Sequence, residues 1–112
     1  MAGIAGLITK FSQKEVDQLF KRSHRIFHGS TATILAAPRE KEFARLLVVA
    51  SKKTAPAVDR NLLRRRLKHI FYQEKLFNTL KFDMIFIAKK PVYALSFTDL
   101  HALFMTAANT II

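Results

Sequence analysis

The segment Asp59-Arg60-Asn61-Leu62-Leu63-Arg64-Arg65-Arg66-Leu67-Lys68-His69-Ile70-Phe71 has the residue types and spacing to do chemistry, and that chemistry is the recognition of anions. Five of its 13 residues are Lys or Arg and one is acidic. Wound as a helix with Arg60 at 0°, it places Leu63, Leu67, Ile70 and Phe71 between about 280° and 20°, and Arg64, Lys68, Asn61 and Arg65 between about 40° and 140°. One stripe faces a core; the adjoining stripe is a ridge of guanidinium, ammonium and amide groups. Guanidinium groups bind phosphate bidentately, and a helix N-terminus adds free N–H donors and the positive end of the dipole. Arg60 in the first turn of such a helix opposes the macrodipole, a local cost without structural return that points to function. Arg66 falls at about 240°, off the ridge, where it meets either a second stretch of polyanion or solvent. Lys52 and Lys53 lie just ahead of this helix and extend its positive surface.

The residue types that carry out catalysis on their own are not arranged for it. The four histidines, His24, His28, His69 and His101, form no H-E-x-x-H pattern. His24 and His28 are four apart, but no carboxylate lies near them. There is no paired-carboxylate signature, no glycine-rich phosphate loop, no G-x-S-x-G, and no cysteine to serve as nucleophile, zinc ligand or disulfide. The expectation is a binding protein with no catalytic or metal-ligating residue of its own.

Composition agrees. The chain has 112 residues, enough for one domain, and 19 Lys+Arg against 8 Asp+Glu, a formal net charge of +11. Half of the residues are hydrophobic, so a core can form. Such a charge repels itself and calls for a polyanion: nucleic acid, an acidic membrane surface or an acidic protein. No apolar run approaches the roughly 18 residues that span a bilayer. The apolar part of Met1 to Thr9 is too brief for a signal peptide, so the expected compartment is the cytoplasm, with residues 1–10 a loosely ordered terminus and residues 11–112 the domain.

Local signals place the elements that must carry the ridge. Ser12 and Glu15 have the spacing of a capping box, with Phe11 and Val16 at the staple positions, and predict a helix from Ser12 to His24. Thr31 to Ala37 and Phe43 to Ser51 read as strands that pair as an antiparallel hairpin, the second covered on both faces. Asp59 is the expected N-cap of the basic helix, Arg60 to about Phe77. Phe82 to Ala88 is a further strand, and Lys89 and Lys90 at its end read as protection of a sheet edge. Ser96 and Asp99 begin a last helix with Leu100, Leu103, Phe104 and Ala107 on its apolar face. The order argues for the α+β class, a sheet with helices packed on it.

Taken together, Ser51-Lys52-Lys53, Ala57-Val58, Arg60-Asn61-Leu62 and Leu63-Arg64-Arg65-Arg66-Leu67-Lys68 resemble the signature of the protein component of bacterial ribonuclease P. The stretch Asp83-Met84-Ile85-Phe86-Ile87-Ala88-Lys89-Lys90-Pro91 is similar to the strand of that family that ends in an Ala-Arg-Lys-Pro-like pattern, and Glu15 to Lys21 to its first helix. The resemblance covers about Phe11 to Ala107. It implies a single-domain α/β sandwich of order αβββαβα with a left-handed βαβ crossover, like the second domain of ribosomal protein S5. It also implies a division of labour. A large RNA subunit with its Mg2+ ions catalyses removal of the 5′ leader of precursor tRNA, and the protein, as a monomer in a one-to-one ribonucleoprotein, binds that RNA and the leader. The resemblance assigns RNA binding to Lys52, Lys53, Arg60, Asn61, Arg64, Arg65, Arg66 and Lys68, and a leader cleft to Val16, Phe20, Ile34 and Ser51. Leu62 stands where the family's Arg-Asn-Arg motif has its second arginine, Ala55-Pro56 where a Gly-Asn pair is usual, and Val16 and Ile34 where aromatics are common. Weaker base stacking in the cleft is the expected consequence.

Other classes fit less of the sequence. A generic structured-RNA-binding or ribosome-associated protein of similar fold shares the charge and the ridge. Binding to an anionic membrane leaves the apolar stripe of the basic helix better explained by packing on a sheet. A helix-turn-helix needs a short turn joining two helices around the basic one, and none is present.

Overall fold

The computed structural model describes residues 3–112. Its elements are α1 (Ile4–Leu7), α2 (Gln13–Arg22), β1 (His24–His28), β2 (Ala32–Pro38), β3 (Leu46–Val49), α3 (Ala57–Gln73), α4 (Leu76–Thr79), β4 (Phe82–Ala88), a 3-10 turn (Lys90–Ala94) and α5 (Phe97–Asn109). The capping chemistry read from the sequence is in place. Ser12 Oγ accepts from the Glu15 N–H at 3.2 Å while Glu15 Oε1 accepts from the Ser12 N–H at 3.0 Å, and Ser96 Oγ accepts from the Asp99 N–H at 3.1 Å.

The basic helix departs from expectation at both ends. It starts at Ala57 behind Pro56, so Asp59 is not the N-cap but an acid in the first turn, where it complements the dipole ahead of Arg60. It stops at Gln73, and Lys75 takes a left-handed conformation, φ 56°, before α4. Continued as one helix, the chain would carry Leu76 round to about 160°, opposite the core stripe. The break turns Leu76 and Leu80 inward, where both are buried.

The sheet order is β1-β2-β4-β3. The expected hairpin of the two strands around residues 31–51 does not form: β2 pairs antiparallel with β1 and β4, and β3 pairs parallel with β4. A parallel pair needs a crossover, and α3 is that crossover, between β3 and β4. The physical reason for the insertion is burial. Met84, Ile85 and Phe86 of β4 are fully buried and take the interior place, while Leu47, Val48 and Val49 stay half-buried on the β3 edge. The strand there is Leu46–Val49, shorter than Phe43 to Ser51. Lys89 and Lys90 follow an interior strand, so they guard no edge; Lys89 Nζ instead donates to the Gly29 carbonyl at 2.7 Å. The strand β1 begins where the helix was expected to end. Its residues are polar or half-buried and a bulge interrupts its register between Arg25 and Phe27, so it carries no clean alternation.

One face of the sheet is dry. Ala32, Ile34, Leu46, Met84 and Phe86 pack there against Leu63, Leu67, Ile70 and Phe71 of α3 and Leu100 and Phe104 of α5. Phe104 lies edge-on to Phe71, with ring centroids 6.3 Å apart, and tilted against Phe86 at 6.2 Å. The segment ahead of α2 belongs to the same core. Ile8 has no exposed surface, and its carbonyl accepts from the Leu46 N–H at 2.7 Å, capping the open edge of β3. The expectation of a loosely ordered terminus is therefore corrected for residues 3–10; Met1 and Ala2 lie outside the described residues. The other face carries a smaller cluster, Leu19, Ala37 and Ile85, with Phe11, Leu35, Leu47, Val49 and Ile87 half-buried around it. There α2 covers only part of the sheet.

A buried ionic group joins three of these elements. Arg45 Nη1 donates to Glu15 Oε2 at 2.7 Å and to the Lys10 carbonyl at 3.1 Å, its backbone N–H donates to Asp83 Oδ1 at 2.8 Å, and its guanidinium sits 4.2 Å from the centroid of the Phe11 ring. The Ser12 backbone N–H, and then the Arg45 guanidinium, hold the Glu15 carboxyl down to about 2. Burial pushes the Asp83 carboxyl above its ordinary value against the pull of Arg45.

Candidate RNA interface

The ridge of α3 stands beside the open edge of β3. Leu63, Leu67, Ile70 and Phe71 are buried, as the wheel requires, while Asn61 and Arg65 are exposed and Arg64 and Lys68 half-buried. Arg64, Arg65 and Lys68 line a groove of about 320 Å³ at the β3 edge together with Leu46, Leu47, Val48 and Thr9. Three cations and aliphatic side chains in one groove suit a sugar-phosphate strand: phosphate oxygens take the charges and the sugar or base meets the aliphatic surface.

The loop between β3 and α3 is held in place. Thr54 Oγ1 donates to the Ser51 carbonyl at 2.6 Å and meets the Tyr93 hydroxyl at 2.7 Å, and Arg60 Nε donates to the Ala55 carbonyl at 3.1 Å. Ser51, Lys52 and Lys53 are exposed at the start of that loop. Arg60 therefore spends one donor on the loop and keeps its two Nη groups. Arg64 makes only two long hydrogen bonds, to Asn61 Oδ1 and to the Ala50 carbonyl, both at 3.4 Å. Among the described residues, ion pairs occur at Arg22–Glu40, Arg45–Glu15, Arg45–Asp83 and His101–Glu74. None involves Lys52, Lys53, Arg60, Arg64, Arg65, Arg66 or Lys68, so these cations are free to meet an external anion.

Not every candidate joins this surface. Arg66 lies on the opposite flank of α3, beside Leu62, Val92, Tyr93 and Leu95. Leu62 is half-buried there, so an apolar residue at this position packs against the 3-10 turn. On the partly covered sheet face, Val16 is half-buried and Phe20 is 39% exposed, both on α2. Ile34 is not on that face. It is fully buried in the core on the other side, and its neighbour Leu35 takes the open position. Ser51 follows β3 at the other edge of the sheet. Alternation along a strand makes a one-residue difference a change of face. Ala32, Ile34 and Ala36 are apolar, and so are Leu35 and Ala37, so β2 offered only Thr33 as a mark of the open side. Val49 and Ile87 extend the same face and were not singled out from sequence.

Comparison with known proteins identifies the family and the fold. The sequence matches the ribonuclease P family over residues 11–111. It is 27% identical over 78 residues to the ribonuclease P protein component of Petrotoga mobilis, a match that covers 70% of this chain and 65% of the relative. The fold is similar to that of the Staphylococcus aureus RNase P protein, with a TM-score of 0.79 at 19% identity over 92% of this chain and 94% of the other. It is equally similar to the RNase P protein of Thermotoga maritima, with a TM-score of 0.78 at 19% identity over 93% of this chain and 97% of the other. By the extent of that sequence match, and with a fold to suit it, this chain belongs to the ribonuclease P family.

Proposed function

We propose that this chain is the protein subunit of a ribonuclease P ribonucleoprotein, which binds a catalytic RNA and the 5′ leader of precursor tRNA and so assists endonucleolytic removal of the leader. The observation that carries the reading is the unpaired row Arg64, Arg65 and Lys68 along the β3 edge, extended by Lys52, Lys53, Arg60 and Asn61. In this reading the row holds phosphates and sugars of the RNA, and Arg66 meets a separate strand on the far flank of α3. The single-stranded leader lies on the open sheet face against Phe20, Val16, Leu35, Val49 and Ile87. Leucine and isoleucine side chains give it van der Waals contact where aromatic side chains would stack on bases. Mg2+ acts at the RNA, where it supplies charge stabilisation for phosphodiester hydrolysis. The protein residues bind and orient the strands, and their positive charge lowers the repulsion between two polyanions. One protein per RNA is the expected assembly.

Reconstitution tests this. The protein is added to a bacterial ribonuclease P RNA at low magnesium, and cleavage of a precursor tRNA is measured with and without its leader. Stimulation that depends on the leader is expected. Tight binding to the RNA without stimulation would replace the reading with that of a general structured-RNA-binding protein.

A further inference from the structure

Away from the α3 ridge, α1, the turn before α2 and the loop before β3 enclose a second cavity of about 410 Å³. That size falls in the ~300–1,000 Å³ range of small-ligand pockets. Two half-buried aromatic rings, Phe11 and Phe43, line it, and the exposed side chains of Lys10 and Lys41 stand beside them. The charged groups deeper in the cavity are already engaged. Glu15 accepts from Ser12 and from Arg45, and the Arg45 guanidinium lies against Phe11. Lys10 and Lys41, in contrast, take part in none of the ion pairs among the described residues. With the Arg45 guanidinium over Phe11, Phe43 is the ring left to stack, and beside two unpaired ammonium groups it suits a flat ring that carries an anion. A bare anion leaves that ring unused, and a neutral aromatic leaves the ammonium groups unused. Phe11 also packs on the apolar cluster of the open sheet face, so one residue borders both the cavity and that surface.

We propose that the cavity is a binding site for one unpaired nucleotide, with its base on the Phe43 ring beside Phe11 and its phosphate between Lys10 and Lys41. The site rests on the reading that single-stranded RNA crosses the open sheet face, and it extends that surface past the N-terminal end of α2.

Amide NMR titrations of the free protein with adenosine 5′-monophosphate, adenosine and inorganic phosphate test the proposal. Adenosine monophosphate is expected to shift the amides of Leu7 to Ser12 and Lys41 to Arg45, with adenosine and phosphate each binding more weakly. Phe43→Ala is expected to weaken the nucleotide by about fivefold or more, the lower end of what one aromatic–base stack contributes. The double variant Lys10→Ala/Lys41→Ala, which changes two exposed side chains and keeps the core intact, is expected to weaken it at least as much, while Lys90→Ala, at an exposed lysine outside both surfaces, leaves it unchanged. Silent cavity amides, shifts confined to α3, or full reproduction of the nucleotide shifts by phosphate alone would each overturn the site. The cleavage assay separates the two readings. Leader-dependent stimulation with silent cavity amides removes this site only, whereas cavity shifts without stimulation leave the site standing and remove the leader.

Discussion

Replacing Arg64 and Arg65 together by alanine removes phosphate contacts while leaving the fold alone. Arg65 is exposed, and the two hydrogen bonds of Arg64 are 3.4 Å long, outside the strong range. The unfolding free energy should therefore change by about 0.5 kcal/mol or less, as for surface substitutions in general. RNA binding should change far more. Each phosphate neutralised by a cation contributes roughly 0.7–0.9 to the slope of log K against log salt, which at ~0.15 M salt corresponds to about a fourfold to fivefold gain in affinity. Loss of two contacts predicts binding weaker by about 15- to 30-fold and a slope shallower by roughly 1.4–1.8. Fluorescence anisotropy of labelled ribonuclease P RNA, repeated across a salt series, measures both quantities. Arg22→Ala is the control. That arginine is basic but off the ridge, with Nη2 on Glu40 at 2.6 Å and Nη1 on the Pro38 carbonyl at 2.8 Å. Parallel salt lines for the double variant and the parent, or an equal loss in Arg22→Ala, would refute the assignment of this ridge to phosphate.

Three further outcomes follow from the same structure. Ile34→Ala should cost about 2–5 kcal/mol of stability in urea unfolding, as truncation of a fully buried side chain does, whereas Leu35→Tyr should keep the fold and tighten the leader by up to ~1–3 kcal/mol through stacking; a stable Ile34→Ala or an unfolded Leu35→Tyr would reverse the faces assigned to β2. Arg45→Met leaves Asp83 and Glu15 without their cation and should cost about 3–5 kcal/mol, the usual result of removing one partner of a buried pair, as read by the same denaturation. Glu15, ordinarily near 4.5 and held at about 2 in the fold, adds stability that is complete above 4.5 and is lost as the pH falls toward 2. The raised carboxyl of Asp83 acts with the opposite sign, because its ionised form is disfavoured in the fold and that penalty is relieved as the pH falls through its raised value. Glu15→Gln should therefore remove the acid-side loss from a melting-temperature series between pH 5 and 2; an unchanged series would mean that the hydrogen bonds of the Glu15 carboxylate to the Ser12 N–H and to Arg45 add nothing.

The sequence by itself determined what depends on local periodicity and net charge. A period of 3.6 sorts the residues of α3 into a buried stripe and a cationic ridge whatever the helix packs against, so Leu63, Leu67, Ile70 and Phe71 are buried and Arg64, Arg65 and Lys68 lie off that stripe, as their spacing requires. The caps at Ser12 and Ser96 were legible because a capping bond closes within one turn. The charge of +11 was legible as a demand for a polyanion, since it needs no geometry to be felt.

Only the tertiary structure decided which strands meet and which face of each is open. β4 entered between β2 and β3 because its Met84-Ile85-Phe86 run is buried on both faces, a competition among strands that no single strand encodes. The face of Ile34 rested on one residue of register, with apolar side chains on both sides of β2 and little in the sequence to separate them. Ile8 became core because β3 had a free edge for it to cap. The Glu15–Arg45–Asp83 group joins residues up to 68 positions apart, from Glu15 to Asp83, and a buried charge finds its partner through the fold and not through spacing along the chain. Local order along the chain built the ridge; long-range burial decided what lies beside it.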